Sequence, residues 1–298
     1  MISICIPTYN FYIKSLISAL EEEITTHSLD AEIIVIDDAS IDFFQRKNKA
    51  RCANCTYIQL EKNIGRAAIR NRFLGHAKGD YFLFLDCDSW VEKPDFIRAY
   101  LNAITEATDV ICGGRIYPKR APSVTQKLNW KFGVFSESKP AETRKLKPYG
   151  SFMTNNFVVK RSVFERIQFN ETLREYGHED TLFGFELEQN NIAIQHIDNP
   201  VKNGHIESNR IFMAKTAKGI ENLTVILELV ENNPQFIGSV KVLAFYERLK
   251  AKKLIWCIRI IGPISNYFFD IGIRIGFISI KLFNIYKLHL LDRALRNK

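Results

Sequence analysis

The chain has 298 residues, of which 46% are hydrophobic and 12% aromatic, and it carries a formal net charge of +8 with a pI near 9.1. This composition can fill a substantial core and excludes a disordered chain, while the positive charge indicates an anionic partner: nucleic acid, a phosphorylated substrate or an acidic membrane surface. Six scattered cysteines, with a lone CxxC at Cys52 and Cys55, favour the reduced thiols of a cytosolic protein over a disulfide framework or a zinc site.

The first part of the chain alternates between strand and helix patterns. Predicted strands cover residues 2–6, 32–37, 56–60, 80–86 and 109–116, with predicted helices near 11–26, 41–50, 65–77 and 95–107. This alternation predicts an α/β fold, with a mostly parallel sheet covered by helices on both faces and ligands beyond the carboxyl ends of the strands. Residues 117–150 carry four prolines and many basic residues without periodicity, which predicts a mobile or ligand-ordered excursion.

The remaining segments place a domain boundary near residue 206. Strands are predicted at 155–161 and 192–198, and helical patterns dominate from about residue 208 to the end. We therefore expect an α/β domain over 1–206 and a helical carboxyl-terminal region over 207–298. The amino terminus "MISICIPTYN" lacks the basic and long apolar regions of a secretion signal, and no apolar run reaches about 18 residues. These features predict a cytoplasmic protein without a simple membrane span.

Acidic residues follow two of the predicted strands. The segment "IVIDDAS" ends its strand at Asp37 and Asp38, and "DYFLFLDCDSW" ends its apolar run at Asp86 and Asp88. Side chains at i and i+2 of an extended chain point the same way, so Asp86 and Asp88 form an oxygen-rich niche suited to Mg²⁺ or Mn²⁺. The alternative is that the two acids only stabilise the following turn. An acidic rim on a basic protein indicates a bound cation or ligand hydroxyl and N–H groups rather than a nucleic-acid surface.

An ordered set of short motifs runs through about two thirds of the chain. The motifs are "PTYN" at 7–10, "DDAS" at 37–40, "NIGRAAIRN" at 63–71, "GDYFLFLDCD" at 79–88, "NNFVVKRSVFE" at 155–165 and "GHED" at 177–180. In this order they resemble the family 2 glycosyltransferases, inverting enzymes with the GT-A fold. The resemblance implies metal-dependent transfer of a sugar from a nucleoside diphosphate donor, such as a UDP-sugar, to a hydroxyl of a glycan or lipid-linked acceptor, as in surface polysaccharide biosynthesis.

The resemblance also implies residues for binding the donor. These are Pro7, Thr8, Tyr9, Asp38, Arg66, Arg70 and Asp86. Pro7, Thr8 and Tyr9 would border the base and ribose, and Asp38 would accept a hydrogen bond from the ring N–H of uracil. Helix capping is the alternative role for Asp37 and Asp38.

Two arginines are expected to approach the donor. Arg70 matches the family position near the base, and Arg66 is expected to reach the acidic part of the ligand. Asp86 would contact the ribose or a water of the metal, and Asp88 would bind the metal that bridges the two phosphates. His205, in "NGHIES", is a further candidate metal ligand that would favour Mn²⁺, the alternative being a structural or solvated histidine.

The "GHED" segment supplies the expected acceptor side. By resemblance to the family, Asp180 is the general base that removes the acceptor hydroxyl proton, and Glu179 orients the acceptor. The alternative is that both acids only pair favourably with a helix dipole. His178 is interpreted equally well as a loop residue or an acceptor contact.

The carboxyl-terminal helices combine a wide apolar surface with a narrow polar stripe. The stripe on a single helix would contain Arg259, Asn266, Asp270, Arg274, Lys281 and Asn284, and Gly262 with Pro263 predicts an interruption. Two interpretations remain open: an interfacial helix at the inner face of the cell membrane, which the basic flanks favour, or a contact between subunits of a homo-oligomer.

Two other functions stay as alternatives. A nucleotidyltransferase of sugar phosphates usually has a glycine-rich phosphate loop with a lysine after the first strand, and "PTYNFYIK" has none. A non-catalytic, membrane-bound GT-A-like subunit would not need Asp88, Glu179 and Asp180, which are all present.

Overall fold

The computed structural model describes residues 1–173 and 176–297. The chain forms two compact units. The first, the sheet unit, consists of Met1–Tyr117, Glu137–Arg174 and Phe183–His205. The second, the helical unit, consists of Pro118–Ser136, Glu175–Leu182 and Ile206–Lys298. The helical unit thus takes in two segments from within residues 1–206 in addition to the carboxyl-terminal region.

The sheet unit is built on two β-sheets. The described strands are β1 (Ile2–Thr8), β2 (Ala31–Asp37), β3 (Thr56–Gln59), β4 (Tyr81–Leu85), β5 (Ser89–Trp90), β6 (Val110–Cys112), β7 (Arg115–Ile116), β8 (Asn156–Lys160), β9 (Ile194–His196) and β10 (Val201–Asn203). Seven of them form the main sheet in the order β3-β2-β1-β4-β8-β6-β9, and three form a small sheet in the order β5-β10-β7.

The main sheet is mostly parallel, as the sequence predicts. Strand β1 pairs in parallel with β2 and β4, β2 with β3, and β6 with β9, whereas β8 runs antiparallel to both of its neighbours. The central strands are apolar along their length because helices cover both faces. One face packs a phenylalanine cluster that includes Phe84 and Phe157, and the other packs aliphatic residues such as Ile4 and Leu83.

Thirteen α-helices are assigned in the part of the chain that the structure describes. They are α1 (Lys14–His27), α2 (Asp42–Arg51), α3 (Arg66–Arg72), α4 (Phe96–Ala103), α5 (Lys127–Phe132), α6 (Ala141–Lys145), α7 (Arg161–Arg166), α8 (Glu179–Gln189), α9 (Asn209–Leu229), α10 (Pro234–Ser239), α11 (Lys241–Ala251), α12 (Ile255–Ile275) and α13 (Ile280–Arg296). The helices predicted in the first part of the chain correspond to α1–α4.

The predicted strand 109–116 is wrong as a single element. It divides into β6 in the main sheet and β7 in the small sheet, with two glycines between them. A Cβ at Gly113 would meet Tyr100 Oη at 2.0 Å, and Gly114 has φ +92°, so this bend requires glycine. The bend places Arg115 in the small sheet, where β7 pairs with β10.

The predicted excursion over 117–150 is also more ordered than expected, since it contains α5 and α6. In the sheet unit, the buried Arg144 of α6 donates to the carbonyls of Cys112 at 3.0 Å, Gly113 at 3.1 Å and Ile197 at 2.7 Å. In the helical unit, Trp130 Nε1 donates to the Pro118 carbonyl at 2.7 Å. These contacts link residues distant in sequence, so periodicity could not reveal them.

The predicted interruption at Gly262 and Pro263 is also wrong, because α12 continues through Pro263. Gly262 packs so tightly that a Cβ there would lie 2.4 Å from His289 Nδ1, and this packing holds α12 against α13 across the proline. The interruption instead lies at Gly276, which has φ +78° and is followed by a hydrogen bond from Phe277 N to the Gly272 carbonyl at 2.8 Å. Among residues 1–173 and 176–297, no helix has both the length and the apolar composition needed to cross a membrane.

Candidate active site

Asp86 and Asp88 lie at the carboxyl end of β4, the strand at the centre of the main sheet. Asp86 N donates to the Asn155 carbonyl at 3.2 Å, and Gly204 N donates to the Asp88 carbonyl at 2.9 Å. Backbone hydrogen bonds therefore hold both residues in position. Because β4 is buried by helices on both faces, these carboxylates stand beside the core and need compensating charge.

Arginine side chains supply that charge. Arg70, whose side chain is 2% exposed, lies 2.8 Å from Asp86 Oδ1, and Arg115 lies 3.8 Å from Asp88 Oδ1. Burial alone would raise the pKa of Asp86, but Arg70, Arg66 and Arg115 together hold it below its usual value. Burial raises the pKa of Asp88, although Arg115 opposes the shift. The two carboxyl groups thus differ in their affinity for a proton.

Arg115 belongs to a small polar group that sequence reasoning missed. Its guanidinium also lies 3.6 Å from Glu137 Oε2, and Tyr117 Oη donates a hydrogen bond to the same carboxylate oxygen. Asp88 lies about 30 residues before Arg115 in the chain, and Glu137 lies about 20 residues after it. The Gly113–Gly114 pair just before Arg115 was the only local signal of a bend at this place.

Asp37 and Asp38 make different contacts. Asp37 accepts from Ser40 N at 2.7 Å and from Tyr57 Oη at 2.8 Å, so it stabilises the turn after β2. Asp38 accepts from Ile64 N at 2.7 Å and Gly65 N at 3.1 Å, and burial raises its pKa. It therefore fixes the loop that begins α3, with one bond on each carboxylate oxygen.

The carboxyl end of β1 and the residue that follows it lie at the same edge of the main sheet as Asp86. Thr8 is buried, Pro7 is half-buried and Tyr9 is exposed, with its side chain open to a ligand. Arg66, at the first position of α3, is exposed and acts electrostatically on both Asp86 and Asp88. The buried amide of Asn155 has no hydrogen-bond partner for Oδ1 or Nδ2 within the described residues.

His205 is an exposed residue just beyond β10. Its ring lies edge-on to Phe11 with the centroids 6.1 Å apart, and its backbone N donates to Asn203 Oδ1 at 3.1 Å. Burial raises the pKa of Asp88, and the electrostatic effect of His205 acts in the opposite direction. His205 is therefore near that carboxylate.

Asp86 and Asp88 are the residues at this edge of the sheet that could hold a divalent cation. Among residues 1–173 and 176–297, no group of three or more His, Cys, Asp or Glu side chains is arranged to hold a metal ion. Mg²⁺ is commonly bound through one or two carboxylates together with phosphates of the substrate and water. Asp88 and Asp86 match that arrangement.

Glu179 and Asp180 begin α8 and belong to the helical unit. Glu179 is buried and accepts from Gly177 N at 3.1 Å, and Asp180 Oδ1 accepts from Thr181 N at 2.7 Å. Gly177 has φ +106° and is so near Gly219 that a Cβ would lie 2.9 Å from its Cα. Burial lowers the pKa of His178 to about 4, and its Nδ1 lies 3.0 Å from Thr181 Oγ1. His178 is therefore neutral near pH 7, and by solvent exposure it is half-buried.

The fold is that of the GT-A glycosyltransferases. Glucosyl-3-phosphoglycerate synthase from Mycobacterium tuberculosis, crystallised with Mn²⁺, UDP-glucose and phosphoglyceric acid, matches with a TM-score of 0.51 and 16% identity over 75% of this chain and 78% of its own. A mannosyltransferase from Pyrobaculum calidifontis, crystallised with GDP-mannose and Mn²⁺, matches with a TM-score of 0.56 and 13% identity over 100% of this chain and 87% of its own.

The sequence defines the family within that fold. Residues 3–177 match the model of "Glycosyl transferase family 2", so the chain belongs to this family and is a glycosyltransferase. EpsH of Bacillus subtilis, named as a glycosyltransferase, is 24% identical over 83% of this chain and 72% of its own length. The poly(ribitol-phosphate) beta-glucosyltransferase of Bacillus spizizenii is 32% identical over 40% of this chain, which spans only 20% of that protein. The resemblance seen in the motifs is confirmed.

Proposed function

We propose that this glycosyltransferase is metal-dependent and inverting, and that it moves a sugar from a UDP-sugar donor to a hydroxyl of a glycan or lipid-linked acceptor in surface polysaccharide biosynthesis. The observation that carries the proposal is the pair Asp86 and Asp88 at the end of β4, with arginines beside it. The neighbours crystallised with Mn²⁺ and a nucleotide sugar, and the relative acting on poly(ribitol phosphate), support the classes of donor and acceptor.

The donor is assigned to the rim of the sheet unit. Tyr9 is exposed there for contact with the base and ribose, together with Pro7 and Thr8. Asp38 keeps lone pairs beyond its two backbone bonds, which suits acceptance from a ring N–H of uracil. In this proposal Arg70 positions Asp86 through their ion pair, and the exposed Arg66 provides a cation for the phosphates.

Asp88, with Asp86, would hold Mg²⁺ or Mn²⁺, and His205 is the further candidate ligand near Asp88. A cation bound there would stabilise the negative charge that develops on the departing diphosphate. Arg115, whose guanidinium lies 3.8 Å from Asp88, would assist the same diphosphate in this proposal.

Asp180 is proposed as the general base. The acceptor oxygen attacks the anomeric carbon opposite the bond to the diphosphate, that bond breaks with its electron pair moving to the phosphate oxygen, and the configuration inverts. Asp180 accepts the proton of the acceptor hydroxyl, and Glu179 orients the acceptor. At the start of a helix, Asp180 accepts hydrogen bonds from Thr181 N and Thr181 Oγ1, which fix the orientation of its carboxylate.

The test is kinetic and stereochemical. UDP release from a panel of UDP-sugars would be measured with Mn²⁺ and an acceptor, and the anomeric configuration of the product followed by NMR. Asp180→Asn is expected to lower kcat by about 10² to 10⁴ while UDP affinity stays within about threefold. Asp42→Asn, at an aspartate that is 72% exposed, is the control. Retention of configuration, or unchanged turnover in Asp180→Asn, would refute the mechanism.

A further inference from the structure

Helix α12 exposes an unusually apolar surface. Its exposed large side chains, here called the apolar face, are Trp256, Ile260, Ile261, Ile264, Tyr267, Phe268, Ile271 and Ile275. At 3.6 residues per turn they occupy one arc of about 140° that runs along the helix for about 30 Å. Single exposed apolar residues are ordinary on a protein surface, but a continuous face of eight is not.

The apolar face is separate from the side of α12 that packs in the helical unit. That inner side contains Ile258, Gly262, Phe269 and Gly272, which are buried. Phe269 packs with Leu128, Ile278 and Phe283 in the core of the unit. The folding of the helical unit therefore does not require the apolar face to be apolar.

Polar residues border the apolar face along one edge. Arg259 pairs with the buried Asp292 at 3.2 Å, and Asp270 and Arg274 are exposed on the same edge. Residues 248–281 contain seven Lys or Arg against the single acid Asp270. These bases are Arg248, Lys250, Lys252, Lys253, Arg259, Arg274 and Lys281. All seven are exposed and lie before, along or just after α12. Two of them have acidic partners, Arg259 with Asp292 and Lys250 with Glu247 at 3.4 Å, and the other five leave the surroundings of the apolar face positive.

We propose that the apolar face binds the surface of an anionic lipid bilayer, with α12 lying in the plane of the interface. Interfacial helices combine an apolar face with bordering Lys and Arg, and aromatic residues such as Trp256 and Tyr267 favour the headgroup level. The bases would contact anionic lipid headgroups.

Charge distinguishes a bilayer from a second copy of the chain. Two identical faces that each carry this excess of positive charge would repel each other on close approach. An anionic bilayer attracts the bases and also buries the apolar side chains, so both properties of the surface are used at once. The inference does not depend on the donor, the metal or the reaction proposed above.

The experiment measures binding of the purified full chain to liposomes by flotation, without nucleotide or metal. Vesicles of phosphatidylcholine with about 30% phosphatidylglycerol are compared with pure phosphatidylcholine, at low and high salt. We expect at least tenfold tighter binding to the anionic vesicles, weakening with salt, and a blue shift of tryptophan emission that Trp256→Phe reduces.

Two variants test the two properties separately. Ile264→Gln with Phe268→Gln removes part of the apolar face, and Lys252→Glu with Lys253→Glu reverses two bordering charges. Each is expected to weaken binding at least tenfold. Two matched controls change exposed residues of the sheet unit. Phe43→Gln is the control for the apolar-face variant, and Lys49→Glu with Lys62→Glu is the control for the lysine variant. Both should bind like the wild type.

All changed side chains are exposed, and circular dichroism would verify that each variant folds. Absence of binding to anionic vesicles by the wild type would overturn the proposal. So would binding as tight as that of the wild type by both Ile264→Gln with Phe268→Gln and Lys252→Glu with Lys253→Glu. A dimer in light scattering that Ile264→Gln with Phe268→Gln converts to a monomer would assign the apolar face to a second copy instead.

Discussion

Replacing Arg70 by methionine tests the charge balance beneath the candidate site. The Arg70 guanidinium is 2% exposed and lies 2.8 Å from Asp86 Oδ1, and Asp86 itself is 17% exposed. Removing one partner of a buried ion pair typically costs about 3–5 kcal/mol, because the other charge remains desolvated and unpaired. Since Asp86 keeps some solvent and still has Arg66 and Arg115 near it, we expect the lower end, about 3 kcal/mol.

The assay is urea denaturation followed by circular dichroism at pH 7, with Arg70→Met, Asp86→Asn and the double variant forming a cycle. The double variant should be about 2 kcal/mol more stable than the sum of the single effects predicts, since it leaves no unpaired charge. Arg70 holds the pKa of Asp86 below its usual value, so the stabilisation by this pair should be present above the unfolded pKa and disappear as pH falls through the folded pKa. An Arg70→Met variant within about 1 kcal/mol of wild type, or an additive cycle, would refute this account of the site.

Three further predictions concern stability. Burial raises the pKa of Glu186 to about 7, so the folded state binds more protons than the unfolded state between about pH 4.5 and 7, and the wild type loses stability as the pH rises through this range. Glu186→Gln should therefore match wild type near pH 4 but exceed it in urea midpoint at pH 8. Burial lowers the pKa of His196 to about 4, so stability should fall as pH drops from 6.5 towards 4, with a slope that His196→Gln reduces; an unchanged slope would contradict this. Gly276→Ala, at φ +78° with Val124 Cγ1 2.9 Å from the new Cβ, should lower the unfolding free energy by about 1–2 kcal/mol, whereas Gly238→Ala, where nothing lies within 4 Å, should not lower it.

The sequence predicted those elements whose local pattern and tertiary environment agree. The apolar run at 80–86 became β4, Tyr81–Leu85, because a strand buried on both faces needs a continuous apolar segment. Asp86 and Asp88 could be placed at its end by chain direction alone. The compensating charge predicted from the sequence was a divalent cation, whereas the arginines that lie beside Asp86 and Asp88 in the structure were not predicted in that role.

Local rules failed where distant contacts decide the structure. Pro263 predicts an interruption, yet α12 continues because Gly262 packs against His289 of α13. The role of Arg115 depends on Gly113 and Gly114 turning the chain between two sheets. Glu137, which pairs with Arg115, lies in a segment without periodicity, so no sequence pattern connected the two residues.

The central claim is that carboxylates at the end of β4 bind the donor diphosphate through a divalent cation, and calorimetry tests it most directly. UDP would be titrated into the wild-type chain with Mn²⁺ or with EDTA, and into Asp88→Asn and the control Asp42→Asn with Mn²⁺. We predict that binding by the wild type and Asp42→Asn requires Mn²⁺, and that Asp88→Asn weakens it at least tenfold. Equal affinity for UDP in Mn²⁺ and EDTA, with Asp88→Asn indistinguishable from wild type, would contradict the claim.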